Sequence, residues 1–227
     1  MLQCSNLIKS YKKKTVVDNL SFQVNSGEVF ALLGSNGAGK TTTIKMILGL
    51  VKKDSGTVTM QEHIQIGYSP DTPYFPYFLT GRETLEYYAT IGHTEKSGRD
   101  KEITSLLKLV GLQDDKTKVR SYSKGMLQRL SVAQALLGDP DFLFLDEPTA
   151  GLDALGRIEM IRLIGKLKES GKTIILNSHI LSDIEQVCNR GLIMDKGRQL
   201  GTWEKYADNH GKSLQEIFLE LVGGVAE

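Results

Sequence analysis

Cysteine is scarce in this chain of 227 residues: Cys4 and Cys188 are the only two, and they form no C-x-x-C pair. That excludes a disulfide framework and fits two buried thiols in a reducing compartment. Charge of one sign is also missing. Twenty-eight basic residues face 27 acidic ones for a net charge of +1, so no global field recruits nucleic acid or an anionic lipid surface, and no nucleic-acid partner is expected. Aromatic residues make up 7%, and no low-complexity tract occurs. No apolar run approaches the ~18 residues of a membrane span, and Met1-Leu2-Gln3-Cys4 does not open a secretory signal. The expectation is a cytoplasmic chain that reaches a membrane only through a partner. Its length suits one large domain with a sizeable core and room for a helical subdomain.

The rest of the chain is organised around residues 30–43, FALLGSNGAGKTTT. Gly34, Gly39, Lys40 and Thr41 fit the G-x-x-x-x-G-K-S/T pattern without a mismatch. Glycines let the backbone curl so that successive N–H groups face phosphate oxygens. Lys40 adds a point charge for the β- and γ-phosphates, and the Thr41 hydroxyl can ligate Mg²⁺. Context supports the pattern. Residues 29–33, VFALL, form a short apolar run with the look of a buried strand, and Ile44, Ile47 and Leu48 follow at helical spacing. Strand, loop and helix come in the required order for a nucleotide site.

Residues 142–148, FLFLDEP, describe a second buried strand, delivering two carboxylates at its C-terminal end, where α/β sheets place ligands. Asp146 suits Mg²⁺, and Glu147 can orient and deprotonate an attacking water. The alternative, an acidic strand-end turn, loses weight with a phosphate loop upstream. A third buried strand, residues 172–177, ends at Ser178-His179. His179 reads either as a γ-phosphate contact or as a structural histidine. Tyr11, ahead of the basic cluster 12–14, reads as an adenine platform or an ordinary strand-end tyrosine. Ser123 and Gly125 open a helix, either as an anion site at its positive end or as a simple N-cap. Residues 70–78, PDTPYFPYF, are neither helix nor central strand. They form a lid packed on the core or an exposed apolar docking surface. Thr80 and Glu83 make a capping box, a polar loop is expected at 92–98, and Ile103, Leu106, Leu107 and Val110 mark an amphipathic helix stopped at Gly111. Residues 150–153, AGLD, turn into a further helix, and a β-pair around Lys196-Gly197 precedes a C-terminal helix at 214–221.

Together these pieces resemble one family, the nucleotide-binding subunits of ABC transporters. GSNGAGKT matches its phosphate loop, FLFLDEP its second carboxylate motif, AGLD its D-loop and NSH its switch histidine, while YSKGM stands where the family has L-S-G-G-Q. The resemblance runs from Tyr11 to about Gly201. It implies an α/β fold with a P-loop NTPase core, an antiparallel β subdomain and a small α-helical subdomain. Residues 1–79 and 140–205 would form the core and β subdomain, 80–139 the helical subdomain, and 206–227 the C-terminal helix with no appended domain.

The implied cofactors are ATP and Mg²⁺. Gly34, Ser35, Asn36, Gly37, Ala38, Gly39, Lys40, Thr41 and Thr42 would line the phosphates, with Tyr11 under the adenine. Thr41, Asp71 and Asp146 would serve the metal, and Glu147, His179 and Lys40 the chemistry. Ser123, Gly125 and Asp153 of one subunit would meet the ATP of a second copy paired head to tail. Membrane permease subunits would dock near 70–78. Within the family, YSKGM, RETLEYYA and SLQEIFLEL resemble exporter-type subunits with separately encoded permeases.

Three departures stand out. Asp71 replaces the usual lid-loop Gln, Lys124 and Met126 replace Gly and Gln of the signature, and the stretch between Gly56 and Gly67 is short, which predicts a trimmed edge hairpin. The competing reading is a cytosolic ABC-type ATPase not coupled to transport. A P-loop kinase or GTPase would lack the SKGM and SH elements.

Overall fold

The structure, a computed structural model, describes residues 2–92, 98–205 and 212–223. The polar loop expected at 92–98 falls mostly outside the described residues, as does the start of the expected 206–227 segment. The chain divides into two compact units, Met1–His63 with Thr173–Glu227, and Ile64–Lys172.

The first unit opens on a hairpin of β1 (Leu2–Tyr11) and β2 (Lys14–Val24). Both strands alternate buried and exposed residues, as a half-solvated antiparallel sheet requires. Asn6 and Asn19 both take left-handed backbone at a register shift and bond side chain to side chain at 2.8 Å. Asn tolerates that conformation better than other non-glycine residues. The next strand, β3 (Val29–Gly34), is buried at every position and runs into α1 (Lys40–Ile47). Then β4 (Ser55–Met60) returns to pair antiparallel with β1, giving the sheet order β2-β1-β4. The short segment after Gly56 thus ends as a lone edge strand rather than a trimmed hairpin, because β4 takes its hydrogen bonds from β1 and residues 61–65 lead directly onward.

The second unit begins with β5 (Ile66–Ser69), followed by α2 (Gly81–Ile91) and α3 (Arg99–Leu109). The Thr80 capping box closes in both directions: Glu83 N–H donates to Thr80 Oγ1 at 3.2 Å, and Thr80 N–H donates to Glu83 Oε2 at 2.6 Å. The Thr80 amide, with Lys118 behind it, holds the Glu83 carboxyl below its usual range. Helix α3 buries Ile103, Leu106 and Leu107. A bidentate Arg82–Asp114 pair, extended to Asp100, fastens α2 to α3 and to the loop that follows. Next come α4 (Lys124–Ala135), β6 (Phe142–Asp146) and α5 (Ala154–Glu169). Strand β6 is buried throughout and pairs in parallel with β5, Ile66 against Phe142 to Ser69 against Leu145.

One face of α4 packs along β5 and the loop beyond it in a matched register. A Cβ on Gly67 would lie 1.9 Å from the Ala135 carbonyl oxygen. Two residues on, Ser69 and Ser131, both buried, share a hydroxyl bond of 2.8 Å. Two further on, the Asp71 carbonyl accepts from Gln128 Nε2 at 3.2 Å. Positions 67, 69 and 71 step along one face of an extended chain while 135, 131 and 128 step along one face of a helix.

The chain then completes the first unit with β7 (Thr173–Asn177), α6 (Leu181–Val187), β8 (Arg190–Asp195), β9 (Arg198–Glu204) and α7 (Leu214–Gly223). Strand β3 lies between β7 and β8, parallel to both, and β9 joins β8 antiparallel through the Lys196-Gly197 turn. Cys4 and Cys188 are buried and form no disulfide, and burial pushes the Cys4 thiol up to about 12. No helix among the described residues is long and apolar enough to cross a membrane.

Gly67 has no room for a methyl group against the α4 main chain, so Gly67→Ala should destabilise the fold by at least about 2 kcal/mol through overpacking. Urea unfolding followed by circular dichroism will check it; an unchanged midpoint would remove the register argument.

Candidate functional site

In the first unit, the C-terminal ends of three parallel strands carry the chemistry. Strand β3 delivers the phosphate loop, β7 delivers Asn177, Ser178 and His179, and β8 delivers Asp195. The loop's glycines are dictated by their surroundings. Gly39 has φ 101°, and a Cβ there would lie 2.4 Å from the Val16 carbonyl oxygen. Gly34 has φ 155° and would place a Cβ 2.3 Å from the Met194 oxygen. No other residue type fits either position.

Lys40 is 5% exposed, rare for a lysine unless its charge is engaged. Its ammonium donates to the carbonyls of Gly34 at 2.8 Å and Ser35 at 3.1 Å, which aims it across the mouth of the loop. Thr41 is the second residue of α1, and its hydroxyl accepts from Asn177 Nδ2 at 3.5 Å. Ser35 Oγ donates to Asp195 at 3.0 Å, and Gly197 N–H donates to the Ala38 carbonyl at 3.0 Å. The loop is therefore braced by the β8–β9 turn on one side and by Val16 of β2 on another. His179 is exposed just past β7, inside a turn in which Ser178 Oγ accepts from Ile180 N–H at 3.1 Å. Tyr11 ends β1 and is 47% exposed, and the Lys9 ammonium sits 5.2 Å from the ring centroid. Asp54 holds that ammonium at 2.9 Å.

In the second unit, Asp146 closes β6 and is 1% exposed. Glu147 follows with left-handed backbone, φ 52°. Its carbonyl accepts from Ala150 N–H at 3.0 Å and from Gln128 Nε2 at 3.3 Å. Asp71 is exposed in the loop after β5. Burial, followed by the negative charges of Asp146 and Asp71, pushes the Tyr68 phenol up to about 12. That buried hydroxyl has no hydrogen-bond partner among the described residues.

The signature residues lie elsewhere in the same unit. Ser123 caps α4, its Oγ accepting from Met126 N–H at 3.2 Å, and Asp153 caps α5, accepting from Gly156 N–H at 2.7 Å. Ser123, Gly125, Leu152 and Asp153 border a shared cleft of about 670 Å³. Lys124 lies against Gly151, where an added Cβ would fall 2.5 Å from its Nζ. A larger cleft of about 1050 Å³ is bordered by Pro70, Tyr74, Phe75, Tyr88 and Ile91. Tyr74, Tyr77 and Phe78 are 76%, 57% and 75% exposed, while Phe75 is buried. The 70–78 stretch thus anchors one ring and presents three.

Residues 17–150 match the model of the ABC transporter family. The chain belongs to that family. An ABC transporter ATP-binding protein of Synechocystis is 46% identical over 192 residues, covering 80% of this chain and 54% of that protein. The bacitracin transport ATP-binding protein BcrA of Bacillus licheniformis is 40% identical over 97% of this chain and 74% of its own length. This cassette therefore spans about half to three quarters of those relatives. Among solved structures, an ATP-binding subunit of an ABC transporter matches with a TM-score of 0.87 at 29% identity, covering 98% of this chain and 99% of that one. A dimeric cassette in a post-hydrolysis state shares the fold, with a TM-score of 0.84 at 23% identity over 91% of this chain and all of that one.

Within the first unit of the cassette Asn177 meets the phosphate loop at Thr41, with His179 exposed just past the same strand; within the second, Gln128 joins the Asp71 loop to the turn that follows Asp146, and the helix N-termini bring together Ser123, Gly125 and Asp153. The sequence reading missed Gln128, Asn177 and Asp195. Asn177 stood inside a recognised motif and was passed over for His179. Gln128 and Asp195 carry no signal that chain order could reveal.

Because Gly39 is held by both its backbone angle and the Val16 carbonyl, Gly39→Ala should abolish binding of a fluorescent ATP analogue while circular dichroism remains native. Retained binding would show that the loop tolerates another conformation.

Proposed function

We propose that this cassette is the ATP-hydrolysing motor of a membrane exporter, working as a head-to-tail pair of copies with two Mg-ATP bound between them. The observation that carries the reading is the phosphate loop, whose glycine angles, buried Lys40 and first-turn Thr41 make a cradle for a polyphosphate. Residues 34–42 would hold the phosphates, and Tyr11 would stack on the adenine.

The donor set suits Mg²⁺, a hard cation that takes oxygen ligands. Thr41 offers a hydroxyl, Asp146 a buried carboxylate, and Asp71 an exposed carboxylate whose charge, like that of Asp146, is felt at Tyr68. No cluster of three or more metal-binding His, Cys, Asp or Glu occurs among the described residues. That fits an ion that fills its remaining positions with substrate phosphate and water. When bound, the metal supplies Lewis-acid stabilisation of the transferring phosphoryl group.

Glu147 would accept the proton of the attacking water, and His179 would contact the γ-phosphate. Ser123, Gly125 and Asp153 of a second copy would complete the site. The exposed rings of Tyr74, Tyr77 and Phe78 and the adjoining cleft suit the cytoplasmic helices of a permease, which would seat the cassette on the inner face of the membrane. The name of the bacitracin transport relative supports a role in transport, and that of a Nod factor export ATP-binding protein of Ralstonia, 36% identical over 88% of this chain, supports the exporter branch.

Glu147→Gln should lower steady-state ATP hydrolysis at least about a hundredfold while ATP binding is kept, as expected for loss of a general base. Size exclusion with ATP should then show a stable pair of copies. Hydrolysis at the wild-type rate would overturn Glu147 as the base. Recovery of a polytopic permease with the tagged chain from solubilised membranes would support the transport coupling; cytosolic partners alone would favour the uncoupled ATPase. Tyr11→Ala should weaken ATP binding and leave inorganic tripolyphosphate binding unchanged, and equal losses for both ligands would remove the adenine assignment.

A further inference from the structure

We infer that Gln128 is a positioning residue for hydrolysis, tying together the loop that carries Asp71, the turn that carries Glu147 and the helix that carries the signature. The inference deepens the reading above and rests on Glu147 acting as the base.

Gln128 is 1% exposed and lies on α4 five residues after Ser123. Its side-chain amide donates both N–H bonds to main-chain carbonyls on two different loops, Asp71 at 3.2 Å and Glu147 at 3.3 Å. Its Oε1 is buried with no hydrogen-bond partner among the described residues. A buried amide normally satisfies both ends. Here only the donor end is used, so the side chain acts through donation.

What it donates to is the reason the tether matters. Glu147 adopts left-handed backbone, unfavourable for a residue with a Cβ, and persists there only if its surroundings hold it. The Ala150 N–H and the Gln128 amide occupy both lone pairs of its carbonyl. A rotation of that peptide would swing the carboxylate away from any water it is to activate, and small misplacements of a catalytic group cost large factors in rate.

The same amide fixes the start of the 70–78 stretch, whose exposed rings are the proposed docking surface. Gln128 also continues the register in which Ala135 and Ser131 meet Gly67 and Ser69. Displacement of the 70–78 loop by a docked partner would pull on the Glu147 turn through one side chain. The device is a mechanical link between docking and hydrolysis.

The test uses the full chain with Mg-ATP. Gln128→Met keeps the volume and removes both donors; Gln128→Glu keeps the shape and puts acceptors where the donors were. Both should lower kcat about ten- to a hundredfold, leave affinity for a fluorescent ATP analogue unchanged, and melt as folded proteins. In a Glu147→Ala background the Gln128→Met change should bring no further loss, since the group being positioned is gone. Wild-type kcat in either folded variant overturns the tether. So does an additive loss in the double variant, or a loss of ATP affinity equal to the loss in rate. If the wild-type chain itself neither binds nor hydrolyses ATP, the motor reading falls and takes this inference with it. A working wild type with an indifferent Gln128→Met removes the tether alone.

Discussion

Main chain packed directly against main chain, with no Cβ between, is the constraint on which both units turn. The Val16 carbonyl lies where a side chain on Gly39 or on Gly197 would have to be, and the Ala135 carbonyl where one on Gly67 would be. In the first unit this lets β2 and the β8–β9 turn close on the phosphate loop from outside. A loop that must wrap a phosphate with its N–H groups has its carbonyls turned outward, and these need partners. Ala38 finds one in Gly197, while Gly34 and Ser35 find theirs in the Lys40 ammonium.

The buried strands supply the rigidity behind that arrangement. Strands β3, β6 and β7 are apolar and inaccessible almost throughout, so their C-terminal ends are fixed points from which polar residues can project. Lys40, Asp146 and Asn177 are each at most 5% exposed, and each stands at or just beyond such an end. Burying these groups is unfavourable unless they are engaged, so they mark function more sharply than the exposed Asp71 or His179.

The second unit shows how the same economy of side chains links separate loops. Helix α4 begins with the signature, passes Gln128 and Ser131, and ends against Gly67. One helix therefore touches the loop before the aromatic stretch and the turn after β6. Residues far apart in the chain become neighbours because the helix rises 1.5 Å per residue and the strand about 3.3 Å. Four helical residues then match two strand residues, about 6.0 Å against 6.6 Å, and the longer Gln128 side chain spans the remaining step.

The elements and much of the chemistry were legible in the sequence because they depend on local pattern. Period and composition placed β3, β6 and β7 as buried strands, Thr80 and Glu83 announced their helix cap, and Gly-rich spacing announced the phosphate loop. Three roles left open by pattern, those of Tyr11, Ser123 and His179, took their meaning from family resemblance. What only the tertiary structure decided is which main-chain groups meet. The sequence could not show that β4 pairs with β1 instead of forming a hairpin, that Asp195 braces Ser35 across 160 positions, or that Gln128 reaches both Asp71 and Glu147. Those contacts are made by carbonyls and amides that every residue possesses. Side-chain pattern records where a backbone is buried and how it turns, but not which distant backbone it will touch.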